Sequence, residues 1–486
     1  MPRRKPAARS PRSSGTLKGS RGVPRGGSRG EVAIIGAGPA GIFAALGLSG
    51  AEGARVRIFD KGPDIDERLA QRGAGGGASD PKWLLCGWGG AGAFSDGKLT
   101  LSPEIGGQLA SYLPRREVAS LLEEVDQMWL RFGAPRELYG ADEDAMAALG
   151  RRATRADLEF IATRIRHLGT DRCPMVLREM RGALGKNVEV HAGEAIARIQ
   201  VTEGAVTGVE TAAGRRYRAD CVIAAPGREG SEWFMQEASR LGLGRADNPV
   251  DVGVRVEVAA ETLAEVTAAA YESKLIFYSR SFDDRVRTFC MCPYGEVVTE
   301  QAEGITTVNG HSYAGKRTAN TNFALLVSTQ FTEPFHDPIA YGRYLARLAN
   351  LISEGVICQR LGDLRSGRRS TDERIARGLV RPTLVSATPG DLSFVLPHRH
   401  LASILEALDA LDRFAPGLGS RHTLLYGIEV KLYSARPRLS KSLETEVANL
   451  FAVGDGAGVT RGLLQASASG LLAGREVQRR LARGPA

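Results

Sequence analysis

The sequence predicts an α/β fold in which one nucleotide-binding sheet is assembled from discontinuous segments and a mixed α+β domain is inserted between them. Three observations predict it. Residues 32–35 are an apolar run leading into Gly36, Gly38 and Gly41, with a helical pattern after it. Residues 450–453 repeat the plan near the other end, passing through Gly454 and Asp455 into a second helical pattern. Between them, 219–225 is a third strand-like run, apolar from Cys221 and ending at Pro226 and Gly227.

The first piece is strand, tight turn and helix. Gly36 permits the turn, Gly38 lets a backbone come close to a pyrophosphate, and Gly41 lets helix and strand pack closely. Pro39 and Ala40 complete the loop and open a helix expected over 39–49. Its N-terminus presents bare N–H groups and a positive dipole end to phosphate oxygens. A strand is expected over 55–60, ending in Asp60, with Lys61 after it. Asp60 lies 24 residues beyond Gly36, the spacing of an acid on the adenosine ribose hydroxyls. An acid there favours an unphosphorylated ribose, as in FAD or NAD, and the loop itself does not choose between them. A glycine-rich turn without a ligand is the alternative; strand, helix and acid together argue against it.

Three further stretches select FAD. Residues 73–97 hold nine glycines in 25 positions. Within and just after them, Gly89, Gly90, Ala91, Gly92, Ser95, Asp96, Gly97 and Lys98 offer backbone N–H groups suited to wrapping a pyrophosphate and a flavin edge. The run 219–228 ends in small residues and Gly227, which lets a chain pass close to a dinucleotide. The run 450–465 carries Gly454, Asp455, Gly456, Gly462 and Gln465. In flavoproteins of the glutathione-reductase type such an Asp bonds the ribityl chain. The helix that follows faces the flavin pyrimidine and favours the negative charge of reduced flavin.

At these residues the chain resembles a family of FAD-dependent dehydrogenases, of uncharacterised substrate, within the glutathione-reductase-like (FAD/NAD(P)-binding Rossmann) superfamily. The matching runs are Gly89-Gly-Ala-Gly-Ala-Phe-Ser-Asp-Gly-Lys98, Arg287-Thr-Phe-Cys-Met-Cys-Pro293, Val308-Asn-Gly-His-Ser312, Arg368-Arg-Ser-Thr371, Leu425-Tyr-Gly-Ile-Glu-Val-Lys431 and Gly454-Asp-Gly-Ala-Gly-Val-Thr-Arg-Gly462. The resemblance spans roughly residues 31–480. It implies FAD and a two-part architecture, a Rossmann-type FAD-binding domain built from discontinuous segments with an inserted mixed α+β substrate domain. It implies no substrate.

The remaining elements follow from periodicity. Helices are expected over 115–132, where Val118, Leu121, Leu122, Val125, Met128 and Trp129 recur at helical spacing, and over 158–168 and 176–184. Residues 188–225 alternate as short strands with turns at Gly204 and Gly214. Strands are expected at 250–258, 286–309 and 322–331, and helices at 337–355, 400–414 and 463–480. The expected organisation is a basic tail (1–30), FAD-binding parts at 31–110, 181–250 and 446–486, a helical insertion at 111–180, and a substrate or cap domain at 251–445.

The net charge of +9 belongs to the tail. Residues 1–30 hold nine basic residues and no acid, leaving 55 basic against 55 acidic residues beyond them. The body is therefore neutral and carries no electrostatic footprint for nucleic acid. The tail lacks large apolar side chains and reads as disordered. The uncharged run 32–51 has the length of a membrane span but is broken by Gly36, Gly38, Pro39, Gly41, Gly47 and Gly50, so no span is expected. Six scattered cysteines suggest neither a disulfide framework nor a metal site, and a reducing cytoplasm is the natural compartment. Oligomeric state has no signature in the sequence.

Candidate chemistry rests on five residues. Cys290 and Cys292 flank Met291 in an expected strand, where period-two geometry puts both thiols on one face. They read either as a flavin-coupled redox pair or, more simply, as two small apolar packing residues. The chain uses 54 Arg and only ten Lys. Lys98 and Lys431, inside family-like runs, therefore mark places where a compact ammonium is wanted, near flavin N1 or N5 or against a substrate. The alternative is a salt-bridged lysine, with Asp96 or Glu429 as partner. Arg461 opens the last helix, where a cation opposes the dipole, and is placed to meet an anionic substrate or the flavin. His311, His398 and His400 read as structural or surface residues.

The leading function is a dehydrogenase or reductase passing a hydride between flavin N5 and a small organic substrate. No second strand–GxGxxG–helix unit is present, so NAD(P)H enters only as a transient electron donor. A flavin monooxygenase using NAD(P)H and O2 is the runner-up, disfavoured by Gly454-Asp-Gly-Ala-Gly in place of Gly-Asp-Ala-Ala-His. An RNA-binding flavoprotein using the basic tail is the third reading.

Overall fold

A computed structural model of the chain describes residues 30–73, 85–95, 97–169, 172–246, 249–302, 304–313, 316–329, 331, 337–431 and 436–483. The expected disordered tail (apart from Gly30), Asp96 and the glycines at 75–77 lie outside the described residues.

Five short apolar runs from distant parts of the chain lie side by side. The order is Leu450–Ala452, Cys221–Ala224, Gly30–Ile35, Ala54–Asp60, Val188–Ala192, and every neighbouring pair is parallel. Val32–Ile35, Cys221–Ala224 and Leu450–Ala452 are buried throughout, the continuous apolar pattern of parallel strands covered on both faces. The fold is thus α/β and of Rossmann type, gathered from both ends and the middle of the sequence as expected.

Two helices clamp this sheet's sequence-distant pieces together. Pro39–Leu48 packs along Leu463–Arg483, and two glycines of the latter set the spacing. A Cβ at Gly470 would lie 1.9 Å from the Ala40 carbonyl oxygen, and one at Gly474 2.6 Å from that of Ala44. The helix Arg115–Arg131 lies against the same terminal helix, where the Trp129 indole N–H donates to Ser467 Oγ at 3.3 Å.

A second, eight-stranded sheet holds the other large core. Its centre is Val250–Ala259, paired antiparallel with Asn320–Thr329 on one side and Leu424–Lys431 on the other. Arg285–Cys292, Lys274–Tyr278 and Glu159–Ile161 continue it beyond Asn320–Thr329. Helices Glu143–Arg155, Pro338–Ser353 and His398–Phe414 bury their apolar faces in its core.

The helix expected over 158–168 is absent. Glu159–Ile161 is the edge strand just named, and Arg164–His167 pairs with Lys98–Leu101. Leu158, Ile161, Ile165 and Leu168 have helical spacing. However, Ile161, Thr163 and Ile165 are β-branched, and two strand partners are within reach, so pairing overrides the period. Among the described residues no helix is long and apolar enough to cross a membrane.

Candidate active site

The phosphate loop owes its shape to backbone crowding. Gly36 sits at φ 104, and a Cβ on it would lie 2.0 Å from the Ala225 carbonyl oxygen. A Cβ on Gly41 would lie 1.9 Å from the Gly36 carbonyl oxygen. Gly38 differs: a Cβ there meets no protein atom within 4 Å. Its backbone therefore faces open space at the start of the helix Pro39–Leu48, which no side chain caps. Such a cradle, bare of side chains at an uncapped helix N-terminus, fits a dinucleotide phosphate.

The other glycine runs close on this loop. Gly89 N–H donates to the Ala37 carbonyl at 2.7 Å, and a Cβ on Gly90 would lie 3.2 Å from Gly38 Cα. Gly90–Phe94 forms a 3-10 turn, with Ala91 half-buried in it. A Cβ on Gly92 would lie 2.7 Å from Leu463 Cδ2 and 3.4 Å from Pro39 Cγ, so the turn reaches both helix N-termini. Ser95 Oγ donates to the Gly92 carbonyl and accepts from Gly97 N–H, which shapes the exit of the turn. From the terminal return, Gly454 approaches Ala40, and Gly456 is pressed on Gly227, with a Cβ only 2.0 Å from the latter's carbonyl oxygen. The three remote stretches therefore meet.

Asp60 stands at the centre of this loop system. Its carboxylate accepts from Ala37 N–H at 2.8 Å, Gly62 N–H at 2.8 Å and Gly87 N–H at 2.7 Å. An ionised carboxylate has about four acceptor positions, so one remains. Lys61 pairs with Glu229 at 2.7 Å on the surface. Asp455 accepts from Thr460 Oγ1 at 2.7 Å and lies 3.7 Å from Arg228. Gln465 turns its amide onto the 102–109 loop, donating to the Ser102, Pro103 and Ile105 carbonyls. Arg461 N–H donates to the Gly106 carbonyl at 2.8 Å, and a Cβ on Gly462 would lie 3.3 Å from Gly106 Cα. Beside these contacts Lys98, Thr100, Gly106, Gly462, Leu463 and Gln465 line a cleft at the start of the terminal helix.

Lys98 connects that cleft with the eight-stranded sheet. Its ammonium donates to the Met291 carbonyl at 2.7 Å, lies 3.4 Å from Glu272 and stands over the Tyr271 ring. Lys431 lies 3.0 Å from Glu429 and, with Lys274 and Arg287, surrounds the Phe289 ring. Lys98, Lys431, Cys290 and Cys292 are thus brought to one region, while Arg461 belongs to the loop at the terminal helix. Glu429 is the partner foreseen for Lys431.

The strand alternation expected at the cysteines breaks. The register of Arg285–Cys292 against Asn320–Thr329 shifts between Phe289 and Cys292, and Cys290 takes φ 47. This bulge, rather than a regular strand face, sets the two thiols. Arg255 Nη2 donates to the Cys290 carbonyl at 2.6 Å and reaches Cys292 Sγ at 3.2 Å.

The charges behind this face were not visible as site residues in the sequence. Arg255 is fully buried, 3.4 Å from Glu429 and 2.8 Å from Asn322 Oδ1. Burial opposes its charge, but Glu429, Cys292 and Cys290 raise its pKa above the ordinary value. Glu272 is also buried; despite that burial, Lys274 and Lys98 hold its carboxyl down at about 2. Burial lowers the Lys274 pKa, and the nearby Arg287 and Lys98 add to the effect. Tyr271 bonds His167 at 3.1 Å and Ser312 at 2.9 Å. A signal was present: Asp251, Arg255 and Glu257 alternate with valines in Val250–Ala259. That pattern resembles a solvated strand face, but here the polar face is enclosed.

Comparison with known proteins agrees with the geometry. Residues 249–432 match the family described as FAD-dependent protein, C-terminal domain-like, and residues 404–485 match glucose inhibited division protein A. An uncharacterized protein of Clostridium beijerinckii (strain ATCC 51743 / NCIMB 8052) is 26% identical over 466 residues, covering 90% of this chain and 79% of its own length. Among solved structures, pyridoxine 4-oxidase from Mesorbium loti is 13% identical, with a TM-score of 0.43, covering 94% of this chain and all of that one. E. coli quinol fumarate reductase FrdA is 13% identical, with a TM-score of 0.39, covering 94% and 71%. With a phosphate cradle closed by three remote glycine runs and a match to an FAD-dependent family domain over 249–432, the chain is an FAD-dependent oxidoreductase.

Proposed function

We propose that the chain holds FAD non-covalently and acts as a dehydrogenase or reductase, passing a hydride between flavin N5 and a small organic substrate that carries negative charge. The observation that carries this reading is Lys98, which lines the cleft at the terminal helix and bonds Met291 on the substrate sheet. One residue would thereby face both the cofactor and the substrate. Gly36, Gly38 and Gly41 would hold the pyrophosphate, Asp60 the adenosine ribose through its remaining acceptor position, and Asp455 the ribityl chain. FAD supplies the hydride chemistry; the protein supplies orientation and electrostatics.

Lys274, Arg287 and Lys431 around Phe289, with Lys98 beside them, support an anionic substrate. Glu272, Glu429 and Asp251 pair with these cations, so a substrate carboxylate would share their ammonium and guanidinium groups with the three acids. Among the described residues the five-stranded sheet is the one all-parallel sheet, which supports NADH or NADPH as a transient donor without a domain of its own.

The test is anaerobic flavin bleaching of the purified protein with NADH, NADPH and a panel of neutral and carboxylate-bearing substrates. Bleaching by a carboxylate-bearing compound, blocked by its saturated analogue, is the expected result. A flavin that no panel member reduces, or that only neutral compounds reduce, contradicts the reading.

A further inference from the structure

We infer that Cys290 and Cys292 form a redox pair that exchanges two electrons with the flavin, passing between a dithiol and an intramolecular disulfide. The inference rests on the proposed placement of FAD at the cleft beside Lys98.

A regular strand is poorly suited to joining residues i and i+2. They stand about 6.6–6.8 Å apart along the chain with parallel Cβ directions, whereas a disulfide needs Cβ atoms about 3.8 Å apart. Here the strand is not regular. Cys290 is left-handed, and the ladder slips one step before Cys292. A left-handed non-glycine residue is costly and persists only where its surroundings hold it. Arg255 does so, donating to the Cys290 carbonyl at 2.6 Å while its same nitrogen lies 3.2 Å from Cys292 Sγ. Cys292 Sγ is itself 3.4 Å from the Cys290 carbonyl oxygen. The thiols also bond each other: that hydrogen bond, ahead of burial, is the main reason the Cys292 pKa is raised.

The pair is asymmetric, as dithiol relays require. Cys290 is half-buried and Cys292 wholly buried, so Cys290 is the more accessible member of the pair. Met291 between them accepts from Lys98, which places the pair one hydrogen bond from the cleft. Across the ladder from Cys292, Asn322 is fully buried and its side-chain NH2 has no partner. It is an orphaned donor on the residue paired with Cys292 in the ladder. The other four cysteines are buried, with no such arrangement among the described residues. Cys221, for example, is pushed up to about 12 by burial and is inert.

In the oxidising direction Cys290 and Cys292 each lose a proton and one S–S bond forms. The electron pair passes to bound FAD, which takes up one proton to become the reduced flavin anion, and the second proton goes to solvent. In the reverse direction the reduced flavin cleaves the disulfide.

The full-length, FAD-loaded protein is equilibrated anaerobically in dithiothreitol buffers of graded redox poise, alkylated with iodoacetamide, and the peptide holding both cysteines is weighed. The expected result is a single two-electron transition from a doubly alkylated peptide to an unalkylated one whose mass is two hydrogens below that of the free dithiol peptide. Dithionite titration of the oxidised protein should then consume about twice the electrons of the flavin alone, falling to the flavin's own share in Cys292→Ser. Two alkyl groups at every poise, or equal electron uptake by wild type and Cys292→Ser, overturns the inference. A colourless protein removes the flavin reading, and the exchange with it, whereas the alkylation pattern decides disulfide formation on its own.

Discussion

A carbon built onto Gly92 would lie 2.7 Å from Leu463 Cδ2, so the glycine-rich turn is wedged against the first residue of the terminal helix. The same glycine faces Pro39, the first residue of the helix after the phosphate loop. Two helix N-termini separated by more than four hundred residues are thus brought to one turn. Each contributes a positive dipole end, and together they suit the two anionic parts of the cofactor, its pyrophosphate and its reduced pyrimidine.

The helix pair that fixes this convergence is sensitive to one added carbon. At Gly470 the obstacle is the Ala40 carbonyl, a backbone atom that cannot move aside without shifting the phosphate loop. Gly470→Val is expected to destabilise the fold by at least about 3 kcal/mol. Urea unfolding of the variant against wild type measures it, and a loss under about 1 kcal/mol would contradict the packing described.

The Arg255–Glu429 pair is wholly buried. Removing the guanidinium leaves Glu429 with Lys431 alone and deprives the buried Asn322 Oδ1 and Cys290 carbonyl of their donor, which costs about 1–3 kcal/mol. Arg255→Leu should lose that much in a denaturant titration. Arg255→Lys should recover only part of it, because a single ammonium cannot reach Asn322, the Cys290 carbonyl and Glu429 together.

His400 gives the fold an acid sensitivity that can be assigned. Burial depresses its pKa from 6.5 to about 4, with Asp284 and Arg399 opposing each other nearby, and its Nε2 bonds Thr329 Oγ1 at 2.9 Å. The folded chain therefore prefers neutral His400. Its stability is full above pH 6.5 and declines as pH falls toward 4, because the unfolded chain binds the proton first. The shift corresponds to about 3 kcal/mol. Unfolding midpoints measured at pH 7 and pH 4.5 should differ more for wild type than for His400→Gln; equal pH slopes would remove His400 as the cause.

The nucleotide-binding half was legible because its local signals agree with its tertiary role. Residues 32–41 need an apolar strand, three glycines and a helix whatever surrounds them, and Asp60 marks the end of the next strand. The substrate half was less legible because packing there overrides local pattern. Leu158, Ile161, Ile165 and Leu168 keep helical spacing yet join two sheets. Asp251, Arg255 and Glu257 look solvated yet are enclosed by the neighbouring strands. Lys98 and Lys431 stood out by their rarity in an arginine-rich chain and by lying inside family-like runs. Their neighbours Glu272 and Lys274 did not, since no period ties them to one site, and Arg287 stood out only as the head of a matching run.

Gly38 offers the most direct measurement of the central claim. Its φ of −76° is ordinary, and a Cβ there meets no protein atom, so Gly38→Ala should leave the unfolding midpoint of the flavin-free chain unchanged. The added methyl would instead occupy the space of the pyrophosphate. Titration of flavin-stripped protein with FAD should show one site per wild-type chain and at least about tenfold weaker binding in the variant, about 1.4 kcal/mol. Equal affinity for the two proteins, or no binding of FAD by wild type, would contradict the account.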